Sequence, residues 1–235
     1  MATSPLFAVK PELPLPLNDR AIYFIKHRAC GRHRCFAREG PHMNHVQSVV
    51  LAGVGGQGIL LASTVLARAA LMSGVDVKTN EVHGMAQRGG SVVAEIRYGK
   101  KVHSPLVEPG TVCAFASLEQ IEALRYAHYL KPNALAVVAK IQLIPTTVSS
   151  GMSKYPADIG ERLARAFPNL RYIEAAEAAA KAGNAKANNM VVLGALSAGL
   201  DFPEDLWEKA IGACVKPRFI DMNILAFNLG RKLAG

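Results

Sequence analysis

From Val46 onward, short apolar runs of strand length alternate with longer stretches in which apolar residues return every three or four positions. "VQSVVLAGV" is a continuous apolar run that ends in glycines, and an Ala-rich helix over Ile59–Met72 follows, stopped by Gly74. "VDVKTNEV" reads as a second strand and "HGMAQRGGS" as a polar loop. "SVVAEIRYGKKVHS" reads as a strand, a turn at Gly99–Lys100 and a second short strand. "TVCAFAS" is a buried strand, "LEQIEALRYAHYL" an amphipathic helix, and "ALAVVAKIQLIP" a strand ending at Pro145. The second half repeats the alternation. "PADIGERLARAF" is a helix opening on Pro156, "NLRYIEA" a strand and "AAEAAAKAG" a helix closed by Gly183. "NAKANNMVVLGALSAGL" is a small-residue helix entered through Asn184 as cap. "PEDLWEKAIGACV" is a helix opening on Pro203, and "RFIDMNILAFNLGRKLAG" is a terminal helix.

Strands alternating with helices predict an α/β domain: a three-layer α/β/α arrangement around a mostly parallel, Rossmann-like sheet with a short hairpin. The length of 235 residues suits a single domain of this kind, and half of the chain is apolar. Residues 1–45 differ in texture, with four prolines before position 17 and then the basic run "RAIYFIKHRACGRHRCFAREG". They read as a disordered extension preceding a folded domain over 46–235, and Met43 offers an alternative start. The Cys30–Cys35 spacing, amid four histidines and several arginines, fits no common zinc pattern.

The net charge of +9 is divided, +4 on residues 1–45 and +5 on the remainder. The folded part is thus only mildly basic, which argues against nucleic acid as a partner and suits anionic phosphates or an acidic protein. No uninterrupted apolar run approaches the length of a membrane span, since Arg68 cuts the longest candidate. Four cysteines without a pairing pattern suit a reducing cytoplasm.

Chemistry concentrates in two loops. Gly53, Gly55, Gly56, Gln57 and Gly58 form a G-x-G-G-x-G turn between strand and helix, where open backbone amides and a helix start favour an anion. The spacing also fits a dinucleotide fingerprint, or glycines serving only tight strand–helix packing. An acid for a ribose should end the second strand, yet Asp76 comes early in it and Glu81 late. The second loop holds His83, Gln87, Arg88, Gly89 and Gly90. Arg88, beside Gly89 and Gly90, can clamp a phosphate or carboxylate or remain solvated, and His83 lacks a partner at triad spacing. Cys113 and Cys214 fall in apolar elements and read as core residues. "GNAKANN" over 183–189 is a third polar cluster, a helix entry that could also line a site. No cysteine grouping for an iron–sulfur cluster and no catalytic constellation is present. A chain with anion-binding loops and no catalytic apparatus suggests a subunit that assists another.

Taken together, "GVGGQGILLAS" at 53–63, "EVHGMAQRGGSVVAEIRYG" at 81–99, "SPL" at 104–106, "EALRY" at 122–126, "GNAKANNMVVLGALS" at 183–197 and "PEDLWEKAI" at 203–211 resemble the gamma-type domain of the 2-oxoacid:ferredoxin oxidoreductases. Within that family the likeness is to the small (beta) subunits acting on arylpyruvates such as indolepyruvate. The resemblance implies an oxidative decarboxylation that yields an aryl-acyl-CoA, CO2 and reduced ferredoxin, and a chain inactive alone. It implies an alpha subunit carrying thiamine diphosphate and iron–sulfur clusters, with coenzyme A as co-substrate. The glycine turn would then form one wall toward coenzyme A, and Gln87, Arg88, Gly89 and Gly90 the other, or both loops would form the subunit interface. Two alternatives stay open: a gamma subunit acting on pyruvate or 2-oxoglutarate, and a stand-alone nucleotide-binding module. The sequence departs from the family's pattern at residues 1–45 and at "IPTTVSSG", where relatives tend to carry a proline pair.

Overall fold

The computed structural model describes residues 45–84, 89–144 and 155–234. The expectations for residues 1–44, for Gln87 and Arg88, and for the loop after Ile144 lie outside the described residues. Among the described residues, one sheet contains β1 (Gln47–Val54), β2 (Asp76–His83), β3 (Ser91–Gly99), β4 (Val112–Ser117), β5 (Leu130–Ala139) and β6 (Leu170–Ile173), in the spatial order β2-β3-β1-β4-β5-β6. β1, β4, β5 and β6 are parallel, while β3 lies antiparallel between β1 and β2. β1 is buried on both faces. Val49 and Leu51 belong to one core layer and Val50 and Ala52 to the other, which is why its text is continuously apolar.

Helices cover both faces. α1 (Ile59–Met72), α4 (Ala175–Lys181), α5 (Asn188–Ser197), α6 (Glu204–Cys214) and α7 (Ile220–Ala234) pack on one face, around Leu66, Met190, Trp207 and Phe227. α2 (Gln120–Arg125) and α3 (Ile159–Ala166) pack on the other, around Phe115, Leu163 and Phe167. α5 is buried from Asn189 to Ser197. It can cross α7 at backbone contact because Gly194 faces the carbonyl of Phe227 and Gly230 faces that of Val191, and a Cβ at either glycine would overlap the facing oxygen.

The three-layer architecture is as expected, but the hairpin lies elsewhere. It is β2–β3, paired from Asp76–Gly99 to His83–Val92, and no strand lies between Gly99 and β4. Residues 100–107 satisfy their backbone through side chains instead of a partner strand. Val102 N–H donates to the Asp76 carboxylate (2.8 Å), and the Arg97 guanidinium donates to the carbonyls of Ser104 and Leu106 (2.9 and 3.0 Å). Gly99 allows close approach of the entering chain at His45–Val46 rather than a tight turn.

The helix expected over 118–130 is also divided. The Glu119 carboxylate caps α2 by accepting from the N–H groups of Ile121 and Glu122 (2.7 and 2.9 Å). α2 gives way to a 3-10 turn at Ala127–Tyr129, and Leu130 already belongs to β5. The strand pairing shifts register near Pro132 and Asn133, where Asn133 has φ of 60°. Asn184 caps the turn at Ala185–Ala187 through the N–H of Lys186 (2.9 Å), as its sequence position predicted. Among the described residues no helix is long and apolar enough to cross a membrane.

Candidate functional site: the glycine turn and its cleft

β1 delivers the chain to the carboxyl-terminal edge of the sheet, the usual ligand side of such folds. Gly55 N–H donates to the Gly90 carbonyl (2.8 Å), and Gln57 N–H closes the turn on the Val54 carbonyl (3.1 Å). Gly56 and Gly58 take the left-handed φ values of 98° and 80°. α1 starts from Gly58 with no side-chain cap, and the first carbonyl-directed bond runs from Ala62 to Gly58. Neither Gly56 nor Gly58 donates its N–H to another described group. With the opening amides of α1, they make a patch of unfilled donors at the positive end of a helix.

This patch opens on a cleft of about 440 Å³. Gly56, Gln57, Gly58 and Leu61 form one wall. Asn184, Lys186, Ala187 and Asn189 at the entry to α5 form the next. Cys214, Val215, Lys216, Phe219, Met222 and Asn223, from the junction of α6 and α7, close it. The lining contains two lysines and no acid. Lys186 and Lys216 are exposed and, among the described residues, neither enters an ion pair. Asn189 is 5% exposed and spans the two walls, its side-chain N–H donating to the Gly58 carbonyl (3.1 Å). Free amides, two unpaired cations and no carboxylate make this cleft suited to a polyanion of nucleotide size.

The expected site residues separate into groups. Gly56, Gln57 and Gly58 line the cleft, and Gly55 touches the second loop through Gly90. Gly53 lies inside the turn, where a Cβ would stand 2.8 Å from Gln57 Oε1. The Gln57 side chain is engaged internally. Its Oε1 accepts from Val54 N–H (2.7 Å) and its Nε2 donates to the Leu118 carbonyl (3.0 Å), tying β1 to the end of β4. Gly89 has φ of 78°, and neither it nor Gly90 lines the cleft. Lys186 and Lys216 escaped sequence reasoning. They are thirty positions apart, and only the fold brings them to one cleft, although the cluster around Lys186 was visible as a polar interruption.

The other candidates have structural partners or none. A dinucleotide fingerprint needs a parallel second strand beside β1, but the neighbour on that side is antiparallel β3. Asp76 holds Val102, and Glu81 accepts from the Ser63 hydroxyl (2.9 Å) on α1. His83 is exposed and makes no hydrogen bond to a described group. Cys113 is buried and Cys214 half-buried at the cleft wall. Among the described residues no three His, Cys, Asp or Glu side chains gather as metal ligands.

Comparison with known proteins gives this arrangement a family. The model for pyruvate ferredoxin/flavodoxin oxidoreductase matches residues 48–233. The indolepyruvate oxidoreductase subunit IorB of Archaeoglobus fulgidus is 40% identical over 187 residues, covering 78% of this chain and 92% of that protein. Among solved structures, the gamma subunit of a keto/oxoacid ferredoxin oxidoreductase from Geobacter sulfurreducens shares the fold with a TM-score of 0.58 at 23% identity, over 80% of this chain and 98% of that one. A 2-oxoglutarate:ferredoxin oxidoreductase from Magnetococcus marinus, solved with 2-oxoglutarate, coenzyme A and succinyl-CoA, contains the fold with a TM-score of 0.62 at 21% identity, over 80% of this chain and 31% of that one. The homologues are thus subunits of 2-oxoacid oxidoreductases. From Ser48 to Leu233, across sheet, glycine turn and cleft, the chain belongs to the pyruvate ferredoxin/flavodoxin oxidoreductase family.

Proposed function

We propose that this chain is the small subunit of a cytoplasmic indolepyruvate:ferredoxin oxidoreductase, and that it holds coenzyme A for a larger alpha subunit. In this reading the complex oxidatively decarboxylates arylpyruvates to aryl-acyl-CoA and CO2 and passes the electrons to ferredoxin. The choice of arylpyruvate rests on the likeness to a subunit named for indolepyruvate, which this chain covers almost completely. In this reading thiamine diphosphate and the iron–sulfur clusters are carried by the larger alpha subunit.

The observation that carries the role of this chain is the cleft at the start of α1. Its donors fit coenzyme A, which presents a diphosphate and a 3′-phosphate. The amides of Gly56 and Gly58 would take one phosphate group at the helix start, and Lys186 and Lys216 would neutralise another. When bound, coenzyme A supplies the thiol that accepts the acyl group. The residues of this chain bind and orient it, and Asn189 keeps the two walls in register. Arg88 is a further proposed phosphate clamp from the second loop.

Co-expression with the alpha subunit tests the reading. Reduction of a viologen dye should require both chains, an arylpyruvate and coenzyme A together. Activity from this chain alone, or activity indifferent to coenzyme A, would overturn it.

A further inference from the structure

The glycine turn is suspended between two anchors, and both belong to the segment that opens and forms α2. The first anchor is Gln57, whose side chain bridges Val54 N–H to the carbonyl of Leu118, the residue before the α2 cap Glu119. The second runs through β3. Gly55 N–H donates to the Gly90 carbonyl at 2.8 Å, and the next residue, Ser91, stands opposite Val54 in the β1–β3 pairing. The Ser91 hydroxyl donates to the carboxylate of Glu122 on α2 and lies 2.9 Å from the Tyr126 hydroxyl. Glu122 is 6% exposed. Its side chain is held in turn by Arg125 (3.1 Å), and its own N–H by Glu119 (2.9 Å). A buried carboxylate this fully bonded has one geometry, and it transmits that geometry to whatever it holds.

α2 itself does not line the cleft. Its hold on Ser91 therefore acts at a distance from any ligand, through Gly90 to Gly55 and so to the amides of Gly56 and Gly58. Gly56 would leave open space even around an added Cβ, so no neighbour braces it. The turn is glycine-rich and would otherwise sample many conformations. We propose that Ser91 and Glu122 are positioning residues: they set the Gly55–Gly58 amides through the Gly90 carbonyl and thereby the anion affinity of the cleft. The affinity part of this statement rests on the coenzyme A reading above. The positioning part does not.

The substitution Ser91→Ala removes the hydroxyl from a residue at the strand start and leaves the backbone pairing intact, and Ser91→Thr restores a hydroxyl. Hydrogen exchange on the full-length chain reads the turn directly. Loss of a bond to a charged group should speed exchange at the two hydrogen-bonded amides of the turn, Gly55 and Gln57, by about tenfold, with Ser91→Thr returning it toward the wild-type rate and amides in α7 unchanged. Glu122→Gln should give the same local pattern, since the amide accepts more weakly than the carboxylate. In the assembled complex, Ser91→Ala should raise KM for coenzyme A several-fold, with kcat at saturating coenzyme A and KM for the oxoacid held. Exchange at the Gly55 and Gln57 amides that is unchanged, or that rises equally throughout the domain, overturns the positioning role. Faster local exchange with an unchanged KM for coenzyme A upholds the positioning and refutes the coenzyme A reading instead.

Discussion

Replacing Gly58 by alanine tests the link between the glycine turn and α5. Two costs are separable. Gly58 has φ of 80°, so any Cβ meets left-handed backbone strain of about 1–2 kcal/mol. The added Cβ would also stand 2.6 Å from Nδ2 of Asn189, which must move and surrender its bond to the Gly58 carbonyl. A lost bond at a buried side chain adds about 1–3 kcal/mol. Gly58→Ala should therefore destabilise the chain by about 2–5 kcal/mol, a fall in Tm of roughly 5–15 °C for a domain of this size. Gly56 supplies the control. Its φ is 98° but an added Cβ would have nothing within 4 Å, so Gly56→Ala should incur the strain alone. Circular-dichroism melts of the full chain read both. Combining Gly58→Ala with Asn189→Ala removes the collision, so the double variant should be less destabilised than the two single effects added. Equal Tm losses for Gly56→Ala and Gly58→Ala, or strict additivity in the double variant, would refute the argued contact between turn and helix.

Three further outcomes are expected. Gly194→Ala and Gly230→Ala each force α5 and α7 apart and should cost about 2 kcal/mol or more in urea titrations even after the helix-propensity gain. Gly160→Ala on α3, where a Cβ meets nothing within 4 Å, should be neutral or stabilising; similar losses at all three positions would remove the crossing as the cause. Lys186→Ala, Lys216→Ala and Arg88→Ala should each raise KM for coenzyme A more than KM for the oxoacid in the assembled complex, and a shift confined to the oxoacid would place these residues elsewhere. The Val102 N–H holds the Asp76 carboxyl below its ordinary 3.8, with a smaller contribution from Lys78. Its stabilisation is present above that value and lost as pH falls through the lowered one. The stability gap between wild type and Asp76→Asn should therefore close as pH drops below 3.8, and a gap independent of pH from 6 to 2 would show that the carboxylate charge contributes nothing.

The parts of the fold legible in the sequence are those written in short-range physics. Ile59–Met72 was bounded by its own apolar spacing and by Gly74, and β1 by an apolar run that only a doubly covered strand sustains. Asn184 could be named as a cap because capping is local. The hairpin was misplaced for the complementary reason. Gly99–Lys100 resembles a turn, but Gly99 is required by the close approach of residues 45 and 46, more than fifty positions earlier, and β2 and β3 are joined by the seven residues 84–90 rather than by a two-residue turn.

The same division runs through the candidate site. Glycines at 53–58 announce themselves because left-handed backbone and an uncapped helix start leave a compositional trace. What converts that turn into a shaped cleft leaves none. Lys186 and Lys216 look like any surface lysines until the entry to α5 and the α6–α7 junction face the same opening. Gln57 reads as part of a binding wall, yet its amide is occupied by Val54 and Leu118. Its value to a ligand is then indirect. A side chain that ties the strand end to β4 holds the neighbouring backbone donors still, so part of the entropy of ordering the turn is met before any anion arrives. Positioning residues of this kind are legible only in three dimensions, because their chemistry is ordinary and their partners are distant in the chain.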